Sequence, residues 1–290
     1  MFQTISNKAL TVTVRELGAE LWSIRQETEY LWQGDQAYWK GRSTTIFPYV
    51  ARLNGGCYTL NGHLYRLPIH GFASHCLFTA VENTGDSVTL ELTDSRLTLA
   101  LYPCPFVFRV KYSLVGSRLD IVYSVRNTGT ERMYFGLGGH PGFHVPLEDG
   151  FAFEDYALHF ESPCRPKRVL FTPDCFVTGK EEPFPLEGGT KLKLTHSLFD
   201  DDAIVLRNMA GCVTLKAEGA KRGVRLTYPK MPYLGLWHVP HKAAPYVCIE
   251  PWSSLPAAKG AITELSRQPD LIFADPGEEY VNAWSIEMLH

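Results

Sequence analysis

The sequence predicts an all-β protein built as one large antiparallel β-sandwich, and three observations support that prediction. Short runs of alternating apolar and polar residues recur along the chain, which is the period of a half-buried strand. Gly, Pro, Asn and Ser separate these runs and are typical of turns. Apolar patterns of helical period do not extend beyond a turn or two, so alternating βα units are disfavoured.

The strands are expected in a regular succession. The chain opens with a hairpin whose arms are residues 11–15 and 21–24, and a second hairpin turns at Asn61-Gly62, the strongest short-range hairpin signal. The later predicted strands share the alternating pattern and are residues 87–92, 97–101, 106–112, 119–125, 156–160, 203–206, 213–217, 223–228, 234–238 and the apolar run that holds Glu250.

Composition indicates an ordinary globular protein. Hydrophobic residues make up 45% of the 290 residues and aromatic residues 12%, which is enough for a substantial packed core and excludes a disordered or fibrous chain. No step in composition marks a domain boundary or a flexible linker, so we expect one domain over residues 1–290.

Charge and cysteine usage exclude several classes of function. The formal net charge is -3 and no basic stripe is visible, so a nucleic-acid partner is not expected. The seven cysteines are an odd number without C-x-x-C spacing, which favours reduced thiols over a disulfide framework or a zinc site.

The first residues do not resemble a secretory signal, and no stretch is long enough to span a bilayer, so we predict a cytoplasmic protein without a membrane partner. No glycine-rich phosphate loop follows a strand, and we expect neither a cofactor nor a metal.

One histidine stands in an unusual setting. Residues 136–146 read GLGGHPGFHVP, so glycines precede His140 and Pro141 fixes the backbone after it. The glycines allow either unusual backbone angles or a close approach of other groups. His140 is therefore a candidate for proton transfer, with a satisfied structural histidine as the alternative.

One carboxylate interrupts an apolar run. Glu250 follows Val247-Cys248-Ile249, a run that predicts a buried strand. Buried carboxylates are costly unless they are paired or catalytic. His140 and Glu250 together would supply an acid and a base.

Other polar and aromatic residues have two interpretations each. Arg52 precedes the turn signal Asn54-Gly55-Gly56 and is expected at a strand end, as a ligand donor or as a solvated surface residue. Trp39 belongs to an aromatic-rich loop region, where it serves as core packing or as a stacking surface for a ligand. The triplet Asp200-Asp201-Asp202 precedes a strand and is either a solvated turn or part of a site.

Four features of the sequence occur in an order that resembles the aldose 1-epimerase (galactose mutarotase) family. They are the apolar segment with proline that ends at Arg52, His70-Gly71, Gly139-His140-Pro141 and the isolated Glu250. The resemblance runs over nearly the whole chain and is greatest to the bacterial galactose mutarotase-like branch. It implies an isomerase with the galactose mutarotase-like supersandwich fold, a sugar cleft on one sheet and a free hexose as its small-molecule partner.

The resemblance also implies roles for individual residues. His140 would be the general acid and Glu250 the general base, while Arg52 and His70 would donate hydrogen bonds to sugar oxygens. We expect His140 to titrate near neutral pH in that role.

A sugar-binding aspartate completes the implied site. It is Asp200 or Asp202, of which we prefer Asp202 because it adjoins the apolar run. Trp252 and Trp237 are candidate walls for the sugar face, with core packing the favoured role for Trp237. Many members of the branch carry arginine where this chain has Ser74-His75, so His75 is a candidate replacement donor.

Three other functions compete with a free-sugar epimerase. A hexose-6-phosphate 1-epimerase would need additional arginines near the cleft, of which only Arg52 is evident. A non-catalytic carbohydrate-binding or sensing protein would not need His140 together with Glu250. A glycosidase would need two carboxylates at the scissile bond. The sequence is also compatible with a homodimer.

Overall fold

The structure is a computed structural model that describes residues 1–260 and 262–290. Antiparallel sheets dominate it, which confirms the all-β prediction. The strands of the first half are β1 (Phe2–Ser6), β2 (Thr11–Arg15), β3 (Glu20–Arg25), β4 (Ser43–Ile46), β5 (Cys57–Leu60), β6 (His63–Arg66), β7 (Thr79–Asn83), β8 (Ser87–Thr93), β9 (Phe106–Val115), β10 (Arg118–Asn127), β11 (Met133–Phe135) and β12 (Gly138–His144). The strands of the second half are β13 (Tyr156–Phe160), β14 (Lys167–Phe171), β15 (Val177–Pro183), β16 (Lys191–Lys193), β17 (Ile204–Arg207), β18 (Cys212–Ala217), β19 (Gly223–Thr227), β20 (Tyr233–Trp237), β21 (Tyr246–Trp252), β22 (Ile272–Ala274) and β23 (Glu279–Leu289).

Two large sheets are formed by the described residues. The back sheet has nine strands in the order β16-β13-β18-β19-β23-β10-β9-β8-β7, and the site sheet has seven in the order β15-β14-β17-β20-β21-β12-β4. Smaller sheets join β1-β2-β3, β5-β6 and β11-β22. The register of β2 with β3 and of β5 with β6 confirms both predicted hairpins, whereas β1 was not predicted.

The main core lies where the back sheet packs on the site sheet. Phe108 of β9 and Tyr123 of β10 belong to the same buried cluster as Val247 and Ile249 of β21. The Tyr123 hydroxyl donates to the Gly138 carbonyl of β12 at 3.4 Å and so links the two sheets. The sandwich architecture follows from burying one apolar face of each sheet against the other.

The site sheet is also covered on its other face. All seven residues of β21 are buried. Val247 and Ile249 face the main core, while Cys248 packs in a separate cluster with Trp32 and Trp252 packs in a third. Because side chains alternate along a strand, Glu250 lies on the same face as Cys248 and Trp252.

One predicted strand is wrong. Residues 97–101 belong to a short α-helix, α1 (Arg96–Leu101). Ser95 caps it, since the Ser95 hydroxyl accepts from the Thr98 N–H at 3.2 Å and the Thr98 hydroxyl accepts from the Ser95 N–H at 2.8 Å. The Leu-Thr-Leu-Ala-Leu alternation is too short to separate strand from helix, and the cap decides the outcome.

The remaining helical segments are short 3₁₀ helices at Asn54–Gly56, Ala73–His75, Phe153–Asp155, His196–Phe199 and Leu265–Arg267. Within the described residues, the helices are all too short or too polar to cross a membrane.

Candidate active site

A cavity of about 310 Å³ opens on the outward face of the site sheet. That volume lies at the lower end of the roughly 300–1,000 Å³ that is typical of small-molecule sites. The structure brings together in its lining six of the site residues expected from the sequence, namely Arg52, His70, His140, Asp202, Glu250 and Trp252.

Neighbouring strands place His140 beside Glu250. β12 pairs with β21 through Gly138 with Trp252 and Gly142 with Cys248, and this register sets His140 opposite Glu250. The His140 Nε2 atom lies 3.2 Å from Glu250 Oε2. The two groups are not aligned as a hydrogen bond. The ring nitrogen and the carboxylate oxygen therefore both keep capacity to engage a bound ligand.

The glycines before His140 serve close packing. None of Gly136, Gly138 and Gly139 has a positive φ. A Cβ at Gly139 would lie 2.5 Å from the Trp284 indole of β23, and one at Gly138 would lie 2.8 Å from the Pro251 carbonyl oxygen. The sequence allowed two roles for these glycines, unusual backbone angles or a close approach of other groups. The structure shows the close approach, which lets β12 pack tightly between the back sheet and β21.

Burial sets the charge state of the pair. His140 is 9% exposed and Glu250 is 1% exposed. Burial raises the pKa of Glu250 well above its ordinary value, and the nearby Trp252 side chain partly offsets that rise. Burial also lowers the pKa of His140, and the adjacent His70 adds to the lowering. The expected titration of His140 near neutral pH therefore does not hold in the free protein, where both groups favour their neutral forms.

Aromatic rings fix the His140 imidazole from three sides. Trp39 stacks on it with ring centroids 4.9 Å apart, while Trp237 and His70 meet it edge-on at 5.9 Å and 5.4 Å. Trp39 and Trp237 also line the cavity, so neither is only core packing. The imidazole is thus held in one orientation before any ligand binds.

His70 is held as a neutral donor. The Ala51 backbone N–H donates to His70 Nδ1 at 3.3 Å, which leaves the ring hydrogen on Nε2. Burial lowers the pKa of His70 to about 4, and the Arg52 guanidinium adds to the lowering. At neutral pH the ring is therefore an uncharged N–H donor in the cavity lining.

Arg52 reaches the cavity from an irregular segment. It lies after β4 and before the Asn54–Gly56 turn, and not at a strand end as expected. The residue is exposed, and no carboxylate of the described residues forms an ion pair with it within 4.0 Å. Its guanidinium is available to a ligand.

Asp202 is the member of the acidic triplet whose carboxylate is held in the cavity. The Trp237 indole N–H donates to its Oδ1 at 2.7 Å, and the Cys175 thiol donates to its Oδ2 at 2.8 Å. The Asp200 carboxylate instead lies 3.3 Å from Nδ1 of the exposed His241. Asp201 also lines the cavity.

His75 takes no part in this arrangement. It is exposed in the Ala73–His75 turn and lies outside the cavity lining, so the expected replacement donor is not at the site.

Left-handed backbone conformations concentrate around the cavity. Ala51, His70, Cys175 and Asp202 have φ of 53°, 62°, 63° and 73°, and all four line the cavity. Such conformations are uncommon outside glycine and recur at functional sites, where the surrounding structure imposes them.

Sequence reasoning missed part of the lining. Cys175 comes from the turn between β14 and β15, and Phe171 and Val205 add apolar wall from β14 and β17. Neither the turn nor these strands carry a local signal for a site. Among the other lining residues, the aromatic-rich region around Trp39 was interpreted from the sequence as a stacking surface for a ligand.

A metal is poorly suited to the described part of the site. Ligand-type atoms of His140, Cys248 and Glu250 lie within 4.8 Å of one another. Binding would require the Cys248 thiolate, whereas burial and the neighbouring Glu250 raise the pKa of that thiol well above its ordinary value. His140 and Glu250 are better suited to proton transfer, in which each changes between a neutral and a charged form, than to metal binding.

Comparisons with known proteins identify the family and the fold. A sequence model of the aldose 1-epimerase family matches residues 1–284. The LacX proteins of Lactococcus lactis subsp. lactis, plasmid and chromosomal, are 32% identical over 304 aligned residues that cover 99% of each chain. The crystal structure of a galactose mutarotase related enzyme from Lactobacillus acidophilus has a TM-score of 0.95 at 30% identity and covers 100% of this chain and 98% of its own. A galactose mutarotase-like protein from Lactobacillus casei has a TM-score of 0.93 at 30% identity and covers 99% and 100%.

Proposed function

Since the chain belongs to the aldose 1-epimerase family and is an isomerase that acts on carbohydrates, we propose that it interconverts the α and β anomers of a free aldose. The observation that carries this proposal is the His140–Glu250 pair, with 3.2 Å between Nε2 and Oε2 at the buried end of the cavity. The reaction needs a base for the C1 hydroxyl and an acid for the ring oxygen. Both sugar oxygens are bonded to C1, so an acid and a base in contact with each other suit it.

The proposed reaction conserves protons. Glu250 takes the proton of the C1 hydroxyl while protonated His140 donates to the ring oxygen, and the bond between C1 and the ring oxygen breaks to give the open-chain aldehyde. Rotation about the C1–C2 bond presents the other face of the aldehyde. On reclosure the former ring hydroxyl returns its proton to His140, and Glu250 returns its proton to the C1 oxygen. The pair holds one dissociable proton throughout.

Burial of the pair favours the proton transfer. Before ring opening the pair is a carboxylate and an imidazolium, and afterwards both groups are neutral. Desolvation raises the pKa of Glu250 and lowers that of His140, so it stabilises the neutral state that ring opening produces. The ion-pair form is the minor species in the free protein, so the free energy of forming it adds to the barrier measured from the neutral pair.

The other lining residues would hold the sugar. Arg52 and the Nε2–H of His70 donate to sugar oxygens, and the Asp202 carboxylate accepts from hydroxyl groups. The Trp252 ring offers an apolar surface for the carbon face of the sugar. These roles orient C1 and the ring oxygen toward His140 and Glu250.

The charges in the cavity favour an unphosphorylated sugar. Arg52 is the only Lys or Arg among the described lining residues, and the Asp201 and Asp202 carboxylates lie in the same lining. A phosphate dianion would need several cations and would be repelled by these carboxylates.

NMR magnetisation exchange between anomers tests the proposal directly. We expect the protein to accelerate exchange of free aldoses such as glucose or galactose, and to prefer them to their 6-phosphates at low salt, where screening is weakest. A preference for the phosphates would favour the hexose-6-phosphate alternative. Binding without accelerated exchange would favour a carbohydrate-binding protein.

A further inference from the structure

The Cys175 thiol contacts the proposed sugar-binding aspartate. Its Sγ lies 2.8 Å from Asp202 Oδ2, while the Trp237 indole N–H holds Oδ1 at 2.7 Å. The carboxylate is therefore clamped at both oxygens by groups from separate strands and turns. We propose that Cys175 is a positioning residue that fixes Asp202 for sugar binding, an inference that rests on the proposed function of this site.

The thiol is a donor under physiological conditions. Burial raises the pKa of Cys175 to about 11, and the Asp202 carboxylate adds to the rise. The S–H bond is therefore intact at neutral pH and donates to the carboxylate. Cys175 is partly buried, and its own side chain lines the cavity.

The turn that carries Cys175 is braced independently of Asp202. The Cys175 N–H donates to the Thr172 carbonyl at 2.8 Å, and the Thr172 hydroxyl donates to Asp174 at 2.6 Å. Lys259 also donates to Asp174, at 3.1 Å. The turn therefore holds the thiol in place beside the Asp202 carboxylate.

The backbone of Asp202 is strained, as is that of Cys175. The φ of 73° at Asp202 is in the left-handed region, and Asp202 follows directly on two other aspartates in an exposed turn. A carboxylate has about four lone-pair sites, so with Trp237 and Cys175 bound at one each, about two remain for hydroxyl groups. Held in one orientation, Asp202 can accept from two adjacent hydroxyls of the sugar.

If Cys175 positions Asp202, removing its thiol should weaken sugar binding. The chemical step should stay intact, because Cys175 does not contact His140 or Glu250. In Cys175→Ala we expect KM for the preferred aldose to rise about tenfold, with kcat within about twofold of wild type. Cys175→Ser keeps a donor and should restore most of the affinity. Cys164→Ala, which removes a partly buried thiol outside the cavity, is the matched control and should change neither constant.

Anomer exchange and calorimetric sugar binding, measured for these variants and for monodeoxy sugars, test the proposal. The KM effect of Cys175→Ala should disappear for the analogue that lacks the hydroxyl bound by Asp202. An unchanged KM and Kd in Cys175→Ala, equal losses in Cys175→Ser, or a similar effect in Cys164→Ala would each overturn the proposal. If wild type binds sugar without accelerating exchange, the proposed function fails alone, and the Kd series still decides the role of Cys175. If wild type neither binds nor turns over any aldose, both proposals fail.

Discussion

The back sheet and the site sheet differ in how many of their faces are buried. In β9 and β10 of the back sheet, buried residues alternate with half-buried or exposed ones, and the outward face carries ion pairs such as Arg109 with Glu91 at 2.7 Å. In β21 of the site sheet every residue is buried, and the face away from the core carries Glu250. A carboxylate on the back sheet is solvated and paired, whereas the one on the site sheet is desolvated and has no aligned hydrogen bond at Oε2. The difference shows that covering the second face of a sheet creates the reactive environment.

Removing one carboxylate from each sheet gives the largest expected contrast. Glu250→Gln keeps the size of the side chain but cannot take a proton, so kcat for anomer exchange should fall at least about 100-fold with a modest change in KM. Glu91→Gln on the solvated face should leave both constants unchanged. Exchange NMR measures both variants, and retained exchange in Glu250→Gln would refute its assignment as the base.

Tight packing behind the site gives a second contrast. Gly139→Ala would place a Cβ 2.5 Å from the Trp284 indole, so we expect it to lower the free energy of unfolding by about 1–3 kcal/mol. At Gly211 the nearest atom to an added Cβ is 3.6 Å away, and Gly211→Ala should be nearly neutral. Urea unfolding compares the two, and equal stabilities would show that β12 does not need the close approach.

Acid stability gives a smaller contrast between a half-buried histidine of the site and an exposed one. The folded-state pKa of His70 is lowered to about 4 from an ordinary 6.5, so the unfolded chain binds a proton first as pH falls. The stability associated with neutral His70 is present above pH 6.5 and is lost as pH falls toward 4.

Substitution of one histidine at a time isolates the contribution of neutral His70 to stability. His70→Gln should make the decline of Tm between pH 6.5 and 4 shallower by a few degrees, because 1 kcal/mol corresponds to roughly 2–4 °C in proteins of about 150–250 residues. His63→Gln, at an exposed position of β6, should leave the slope unchanged. Identical slopes for wild type and His70→Gln would show that His70 is not held neutral by the fold.

The two sheets also differ in how far the sequence predicts them. The alternation of apolar and polar residues along β9 and β10 predicts these strands, because one face of each strand is in contact with solvent. It also led to one error, at α1, where the Ser95 cap outweighs a five-residue alternation. Residues that stand out against an apolar background, such as His140 and Glu250, could be identified as site candidates.

The rest of the site depends on long-range contacts. Cys175 reaches Asp202 across 27 positions of the sequence, and Trp237 reaches it across 35. No local pattern records such contacts, and the shift of the His140 pKa depends on burial that only the fold creates. The cytoplasmic location, the single domain over residues 1–290 and a homodimer stay predictions.

The central claim is that His140 and Glu250 work as one unit that shares one proton, and a double-mutant cycle measures this most directly. The kcat for anomer exchange is compared among wild type, His140→Asn, Glu250→Gln and the double variant, with sugar binding as the check on folding. Since neither group can complete the proton exchange alone, the double variant should be no slower than the slower single variant, within about threefold. Losses that multiply, with the double variant slower by the product of the two single effects, would contradict the shared-proton account.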